Sequence, residues 1–261
     1  MKNVLITGGR SGIAHHIIKE LLKKNYFIYV TAHTEEQTKS LKKLYKDYKK
    51  VECFKLDITN KIDYKTVEPL KIDILICNAA IGYGGSISEI DISLMRQNFE
   101  VNVFSNFELI QLILRKMIIN NEGKIVIMSS LAGLIPVPFL GSYCASKASI
   151  IKLAETLKYE LKILSSKVQI ILVEPGIYHT GFNQVMLENK YDWMEEKTYF
   201  KEELEIIKKY ENYIFSIFES KGFKSIVTPI VKAIERKKSP FLVRAPLYQV
   251  LSAKLYIIFK S

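Results

Sequence analysis

Short apolar runs alternate with amphipathic stretches along most of this 261-residue chain. Six of the runs are candidate strands: Val4–Thr7, Phe27–Ala32, Val51–Leu56, Ile72–Cys77, Lys124–Ser129 and Val168–Glu174. All but the last are bounded by turn residues, and several are almost continuously apolar, as strands buried on both faces must be. The stretches between them place apolar residues at helical spacing, over Gly12–Asn25, Glu35–Tyr48, Ser93–Asn120 and Tyr143–Leu164. This alternation predicts an α/β fold with a doubly wound parallel sheet in a three-layer α/β/α sandwich.

The alternation ends after Pro175, so the last third of the chain needs a separate interpretation. A length of 261 residues fits one α/β domain, and 48% hydrophobic with 25% charged residues excludes disorder. Residues 182–223 are dense in Tyr, Phe, Glu and Lys and predict a helical insertion. A helix over 225–237 and a strand over 241–243 complete the predicted domain. Residues 246–261 are apolar and basic, which predicts packing on the core or another subunit, with a membrane surface as the alternative.

The net charge of +11 invites a nucleic-acid partner. The densest basic run, Lys39–Lys50, carries Leu41, Leu44, Tyr45 and Tyr48 at helical spacing, which is typical of an amphipathic helix with a solvated face. Because no zinc-finger, homeodomain or RNA-sheet motif accompanies the run, no nucleic-acid partner is expected.

The cysteines and the apolar segments predict a cytoplasmic protein. Three cysteines cannot form a disulfide framework, and their odd number favours a reducing compartment. The N-terminal apolar run Val4–Ile6 is too short for a signal peptide. The 22 uncharged residues between Lys124 and Lys147 contain glycines and prolines that would break a membrane-spanning helix.

A glycine-rich turn follows the first predicted strand, with the sequence Thr7-Gly8-Gly9-Arg10-Ser11-Gly12-Ile13-Ala14. Such a turn lets the backbone approach a pyrophosphate, whose charge then lies at a helix N-terminus. A plain strand-to-helix turn would also explain the glycines. Its place after the first strand of the βαβ series favours a dinucleotide site.

A phenol and an ammonium four residues apart, Tyr143 and Lys147, share one face of a predicted helix. The positive charge would favour the phenolate. Tyr45 and Lys49 have the same spacing, so the spacing alone decides nothing. Ser130, at the end of the fifth strand, can reach the same pocket as Tyr143.

With these residues in this order, the chain resembles the short-chain dehydrogenase/reductase family, in its short single-domain branch, from Val4 to Thr180. The turn over 7–14 is similar to TGxxxGxG with Ala14 for the last glycine. Residues 77–80 are similar to NNAG, and residues 175–180 match PGxxxT. The catalytic tetrad of the family is matched by Asn102, Ser130, Tyr143 and Lys147.

The resemblance implies a Rossmann-type fold, a homodimer or homotetramer, and hydride transfer between a nicotinamide and a small-molecule carbonyl/alcohol pair. Tyr143 would act as the general acid or base. Lys147 would lower the pKa of the phenol and hold the nicotinamide ribose. Ser130 would bind the substrate oxygen, and Asn102 would hold a water that links Lys147 to solvent.

The resemblance also implies where the cofactor contacts lie, with Asp57 at the adenine and Thr180 at the nicotinamide carboxamide. The full set is Gly8, Arg10, Ser11, Gly12, Ile13, His33, Asp57, Asn78, Ala79, Tyr143, Lys147, Pro175, Gly176 and Thr180. The second strand does not end in an acidic residue, which would repel the 2′-phosphate of NADP. His33 and Arg10 could instead bind that 2′-phosphate. A capping box from Thr34 to Gln37 would place the next two glutamates in a helix. NADP is therefore favoured, and NAD stays open.

The insertion over 182–223 covers the substrate in the family that the chain resembles. Its many aromatic residues favour an apolar or amphiphilic carbonyl substrate, although core packing would explain many of them. An NAD-dependent sugar or polyol dehydrogenase and a non-catalytic nucleotide-binding regulatory module are the alternatives. Since His15, His16 and His179 lack metal-ligand spacing, no metal is expected.

Overall fold

The computed structural model describes residues 1–260. Its seven strands form one sheet in the order β3-β2-β1-β4-β5-β6-β7, and every neighbouring pair is parallel. The strands are β1 Lys2–Ile6, β2 Tyr26–Ala32, β3 Val51–Lys55, β4 Ile74–Cys77, β5 Lys124–Met128, β6 Gln169–Pro175 and β7 Leu242–Ala245. The predicted doubly wound parallel sheet is confirmed.

The helices cover both faces of the sheet and complete three layers. They are α1 Gly12–Leu22, α2 Glu35–Leu44, α3 Ile92–Phe99, α4 Asn106–Ile119, α5 Gly141–Ile163, α6 Phe182–Met194, α7 Leu204–Phe218, α8 Lys224–Glu235 and α9 Leu247–Lys260. One apolar core joins the sheet to α1, α2 and α8, and a second joins its other face to α4 and α5. Every residue of β4 and β5 is buried, as are all but the first of β6, because both faces of the sheet are covered there, whereas the edge strand β3 has no buried residue.

Two helices differ from the sequence prediction in a way that affects the site. The helix predicted over 93–120 consists of α3, a π-helical turn over Glu100–Ser105, and α4. That turn contains Asn102, and π-turns are frequent at functional sites. The basic helix α2 ends at Leu44, four residues before the predicted end, and its residues Leu41 and Thr38 are buried.

The segment between β6 and α8 forms α6 and α7, and the chain ends in α9 beyond β7. The last strand and α9 are in contact, and α8 packs on α1. No helix within residues 1–260 has both the length and the apolar character needed to cross a bilayer.

Candidate active site

A cavity of about 1230 Å³ opens at the carboxyl ends of the strands. The strand order reverses between β1 and β4, which is the point where ligands bind in open α/β sheets. All fourteen residues of the predicted cofactor set line its wall, as does Ser130. The fold therefore brings together side chains that lie up to 172 positions apart, from Gly8 to Thr180.

The glycine turn forms one wall, and two of its glycines have backbone conformations that other residues rarely adopt. Gly8 has φ +67° and Gly12 has φ +61°. A Cβ atom on Gly9 would lie 2.3 Å from Cγ1 of Val30 in β2. Helix α1 begins directly after Ser11, so the free N–H groups of its first turn lie at the cavity. This arrangement suits a bound pyrophosphate.

Asn78 ties the end of β4 to the end of β1. Its Nδ2 atom donates to the carbonyl oxygens of Thr7 and Gly8, each at 3.0 Å. The hydroxyl of Thr7 accepts from the backbone N–H groups of Asn78 and Ala79, at 3.0 and 2.9 Å. These four hydrogen bonds hold the two strand ends at the point where the sheet reverses direction.

The part of the cavity at the tip of β2 contains His33 and Asp57. His33 Nε2 lies 3.5 Å from Asp57 Oδ2, while Asp57 Oδ1 accepts from the backbone and hydroxyl of Thr59. The imidazole of His33 is largely exposed, at 67%.

The start of α2 confirms the predicted cap. Thr34 Oγ1 accepts from the backbone N–H of Gln37 at 3.2 Å. Glu35 and Glu36 consequently lie in the first helical turn and are exposed, whereas Gln37 lines the cavity.

Three members of the tetrad meet on the cavity wall. Ser130 Oγ hydrogen-bonds with the phenol of Tyr143 and accepts from the backbone N–H of Ala132 at 3.1 Å. Lys147 lies one turn along α5, with Nζ 5.7 Å from the ring centroid of Tyr143. Its ammonium donates to the carbonyl oxygen of Met128 at 3.2 Å. Serine, phenol and ammonium thus converge on one place above β5.

Burial controls the protonation of this group. It raises the pKa of the Tyr143 phenol above its ordinary value, and the hydrogen bond with Ser130 only partly opposes it. It lowers the pKa of Lys147 to about 8. The lowered phenol pKa that the resemblance implies is therefore not found in the protein alone, because desolvation outweighs the other influences. At neutral pH Tyr143 carries its proton.

The fourth member, Asn102, is fully buried behind the wall. Its amide pairs with Ile81, accepting from the backbone N–H and donating to the carbonyl oxygen, each at 2.9 Å. It also donates to Ser146 Oγ at 3.1 Å. The side chain of Asn102 therefore positions the loop after β4 and the helix α5.

Asn102 is the middle rung of an asparagine ladder formed by Asn98, Asn102 and Asn106. Asn98 repeats the same pairing one turn earlier, with the backbone N–H and carbonyl of Tyr83 at 3.0 and 2.9 Å. Asn106 donates to the carbonyl oxygen of Ala79 at 3.0 Å. Alternate residues of the loop thus meet successive turns of the helix.

The ladder also reaches α5, because Asn98 donates to Ser142 Oγ at 2.6 Å just as Asn102 donates to Ser146. Ser142 directly precedes Tyr143 and Ser146 directly precedes Lys147, so the ladder positions the helix that carries Tyr143 and Lys147. The sequence analysis considered only Asn102. The four-residue spacing of the three asparagines is the signal that could have revealed the others.

Comparison with known proteins agrees with this geometry. The family model described as short chain dehydrogenase matches residues 2–190, which is more than half of the chain. The chain belongs to the short-chain dehydrogenase/reductase family. It is thus an oxidoreductase that acts on a CH–OH/carbonyl pair with NAD or NADP.

Several individual proteins are similar to this family member. A 3-ketodihydrosphingosine reductase from Bacteroides thetaiotaomicron is 28% identical over 260 residues, covering 96% of this chain and 90% of the relative. An NADPH-dependent 3-dehydrocapnine reductase from Ornithobacterium rhinotracheale is 29% identical over 186 residues, covering 67% of this chain and 65% of the relative. A short-chain dehydrogenase/reductase from Burkholderia phymatum, solved in complex with NAD, shares the fold with a TM-score of 0.82 at 21% identity, covering 99% and 95% of the two chains.

Beyond the tetrad, the cavity of this short-chain dehydrogenase/reductase continues between α6, α7 and α9. Its wall there is largely apolar and includes Phe182, Met186, Ile207, Ile214 and Phe215. Lys190 of α6 is fully buried and forms an ion pair with Glu211 of α7, which also accepts from the hydroxyl of Tyr191. Burial lowers the pKa of Lys190. This pair joins the two helices that cover the cavity.

Gln249 of α9 is a further site residue that the sequence analysis did not identify. Its Oε1 accepts from the backbone N–H of Ile177 at 2.6 Å, and its Nε2 donates to the carbonyl oxygens of Ile177 and Phe218 at 3.2 and 2.5 Å. Gln249 thereby fastens α9 to α7 and to the loop that carries Thr180. A lone glutamine in an apolar segment was the only signal in the sequence.

The part of the chain that the structure describes, residues 1–260, contains no cluster of three or more His, Cys, Asp or Glu residues suited to a metal ion. The imidazole of His16 instead stacks on Phe223, with ring centroids 4.1 Å apart. His15 hydrogen-bonds with the phenol of Tyr45 at 2.7 Å.

Proposed function

We propose that this enzyme is an NADPH-dependent reductase that converts the ketone of a long-chain amphiphile into a secondary alcohol. The observation that carries the proposal is the shape of the cavity. It runs from Ser130, Tyr143 and Lys147 into an apolar passage lined by α6, α7 and α9. A passage of this kind binds a hydrocarbon chain and leaves the polar group at the catalytic side chains.

One catalytic residue would donate a proton, and the others would bind the substrate oxygen and stabilise the deprotonated donor. When bound, the nicotinamide supplies hydride to the carbonyl carbon. Ser130 Oγ would hydrogen-bond the carbonyl oxygen, and Tyr143 would donate its proton to the forming alkoxide. The raised pKa of Tyr143 supports this direction, because the phenol carries the required proton at neutral pH. Lys147, with its ammonium 5.7 Å from the ring centroid, would stabilise the phenolate that remains.

The preference for NADPH over NADH rests on the tip of β2. A 2′-phosphate there would meet the exposed His33 and Arg10, while Glu35 and Glu36 lie in the first turn of α2. Gln37 lines the same part of the cavity and offers an amide donor. The guanidinium of Arg10 and the imidazole N–H of His33, without an acid at the tip of β2, suit a dianionic phosphate.

The substrate class is supported by the two relatives as well as by the cavity. Their names describe reduction of 3-ketodihydrosphingosine and 3-dehydrocapnine, so both act on oxo compounds. The first of them matches along 96% of this chain, a span that takes in α6 and α7, two of the helices that line the apolar passage. A long-chain 3-oxo amphiphile combines the ketone that the tetrad needs with the apolar chain that the passage fits.

The proposed enzyme is a cytoplasmic homodimer or homotetramer. Free thiols at Cys53, Cys77 and Cys144 support a reducing compartment. Exposed apolar side chains in the π-helical turn before α4 and on α5, Phe104 and Leu153 among them, support contact between subunits. Sedimentation equilibrium would measure the assembly, and a monomer at working concentration would contradict it.

The test measures NADPH absorbance with a long-chain 3-oxo amphiphile and, in parallel, with small sugars and polyols. The substitution Tyr143→Phe should leave the Kd for NADPH within about twofold and lower turnover roughly 100-fold or more. Tyr159→Phe, on the same helix but exposed, is the matched control and should keep parental activity.

Three results would contradict parts of this proposal. Turnover of Tyr143→Phe within tenfold of the parent would remove the phenol from its role. Tighter binding of NADH than NADPH would reverse the cofactor assignment. Activity confined to sugars, or cofactor binding without turnover of any carbonyl, would favour a polyol dehydrogenase or a regulatory module instead.

A further inference from the structure

The outer face of α7 carries an apolar stripe that is exposed to solvent. Ile206, Tyr210, Tyr213 and Ile217 follow at intervals of four, three and four residues, and each is at least half exposed. Apolar side chains at this spacing normally face a protein core. Here they lie on the solvent-exposed side of α7.

Helix α9 repeats the pattern with Leu247, Leu251 and Leu255 at intervals of four residues, and each is again at least half exposed. The opposite face of α9 already packs inward, because Val250 and Ala253 are buried. The outer leucines are thus not required to hold the helix in place. The two helices meet where the ring of Phe218 stacks on that of Tyr248, with centroids 6.3 Å apart, and the two stripes are together called here the α7/α9 surface.

The α7/α9 surface surrounds the mouth of the cavity. Ile206, Tyr210 and Tyr256 line the cavity and are also largely exposed, at 69%, 63% and 43%. A side chain with both properties lies where the cavity opens to the outside. The apolar passage and the apolar outer surface are therefore continuous, so a hydrocarbon chain could move between them without crossing water.

We propose that the α7/α9 surface docks on the face of an anionic lipid bilayer and that the amphiphilic substrate enters the cavity directly from the lipid. This inference rests on the proposed function, since it names the source of that substrate. Helix α9 packs Val250 and Ala253 against the protein and exposes its leucines on the opposite face, which places the helix in the plane of the interface.

Charge complementarity favours an anionic bilayer over a neutral one. Residues 246–260 contain no Asp or Glu, and Lys254 is exposed beside the leucines. On α7, Lys208 is paired with Glu195 at 2.6 Å and with Glu205 at 3.6 Å, so the attraction comes from α9 and from the net charge of +11. Tyrosines such as Tyr210 and Tyr213 suit the boundary between headgroups and hydrocarbon.

Vesicle co-sedimentation tests the docking with the full-length protein. The parent should pellet with vesicles containing phosphatidylglycerol and bind much less to vesicles of phosphatidylcholine alone. Combining Leu251→Glu with Leu255→Glu should lower the fraction bound roughly tenfold or more, because both carboxylates would have to enter the interface. The matched control combines Ile62→Glu with Ile119→Glu, exposed positions elsewhere that give the same change in charge, and should bind like the parent within about twofold.

Activity assays separate this proposal from the proposed function. Both double variants should reduce a short, water-soluble 3-oxo substrate at the parental rate, since Leu251 and Leu255 do not line the cavity. Only the α9 variant should lose activity on a long-chain substrate embedded in vesicles. If the parent reduces no ketone, the proposed function is contradicted. The vesicle-binding result would still decide whether the α7/α9 surface docks on a bilayer.

Two outcomes would overturn the docking proposal. One is equal vesicle binding by the parent and the α9 variant. The other combines two results: the parent does not bind vesicles, and sedimentation shows that the α9 substitutions convert an oligomer into a smaller species. That combination would show that the surface binds a second copy of the chain.

Discussion

Gln249 and Gly176 provide a stringent test of how the C-terminal helix shapes the cofactor loop. A Cβ atom on Gly176 would lie 1.9 Å from Gln249 Oε1 and 2.7 Å from its Cδ, and the nearest atom of another residue, Pro246 Cδ, would lie at 3.2 Å. Gly176→Ala would therefore displace the amide of Gln249 and break its hydrogen bonds. In a Gln249→Ala background the two closest contacts are gone and the tightest that remains is the one with Pro246 Cδ, which a small shift relieves, so the two substitutions should not be additive.

The magnitude follows from the contacts that are lost. Gln249 makes three hydrogen bonds to Ile177 and Phe218, and each contributes about 1 kcal/mol net. Because Ile177 is only partly buried and water can replace some of them, Gln249→Ala should lower the free energy of unfolding by about 2 kcal/mol. Gly176→Ala should cost about as much, and the double variant should cost about 1–2 kcal/mol less than the sum.

Urea unfolding of the four proteins without cofactor gives the coupling energy, and titration with NADPH gives the effect on the loop. Both single variants should bind NADPH severalfold more weakly, because the loop that carries Thr180 loses its fastening. Gln249→Glu separates hydrogen bonding from packing: it keeps the size of the side chain but places an acceptor against two carbonyl oxygens, and should be at least as damaging as Gln249→Ala. Additivity within about 0.5 kcal/mol would refute the reasoning.

Two further predictions concern buried polar groups. Burial lowers the pKa of Lys147 to about 8 from its ordinary 10.5, so the folded state binds fewer protons between these values and gains stability as the pH rises. The free energy of unfolding of the parent relative to Lys147→Met should therefore rise by about 2 kcal/mol between pH 7 and pH 9.5, whereas a flat difference would contradict the lowered pKa. Asn98→Ala should cost about 2–4 kcal/mol in urea unfolding, because it leaves the buried backbone partners of Asn98 unpaired. Asn120→Ala, at an exposed position, should stay within about 0.5 kcal/mol of the parent, and equal effects of the two substitutions would show that the ladder contributes nothing.

The fold could be predicted from the sequence because a parallel sheet covered on both faces requires strands that are apolar throughout. Runs such as Lys124–Met128 and Ile74–Cys77 meet that requirement. The placement of the predicted cofactor residues at one edge of the sheet could also be predicted from the sequence. The motif residues follow the strands, and the carboxyl ends of parallel strands share one edge. The strand order itself, with β4 beside β1, came from the structure.

Local sequence fails where a side chain acts through a distant backbone group. The role of Gln249 depends on Ile177, which lies 72 residues away, and on Phe218 in another helix. Asn98 likewise pairs with Tyr83 across a loop, and only its spacing from Asn102 hints at this. Protonation behaves in the same way: the sequence pattern predicts a lowered pKa for Tyr143, but burial, which is a property of the packed domain, raises it.

The sequence by itself determined the α/β architecture, the edge of the sheet that binds ligand and the identity of the serine, phenol and ammonium at the site. These features depend on hydrophobic periodicity and on short motifs, and both involve only residues that are close together in the sequence. Only the tertiary structure decided that the C-terminal segment closes the cavity with one face and exposes leucines on the other. Which side of a short, generally apolar helix is buried depends on the surfaces that meet it, and those surfaces come from residues far away in the chain.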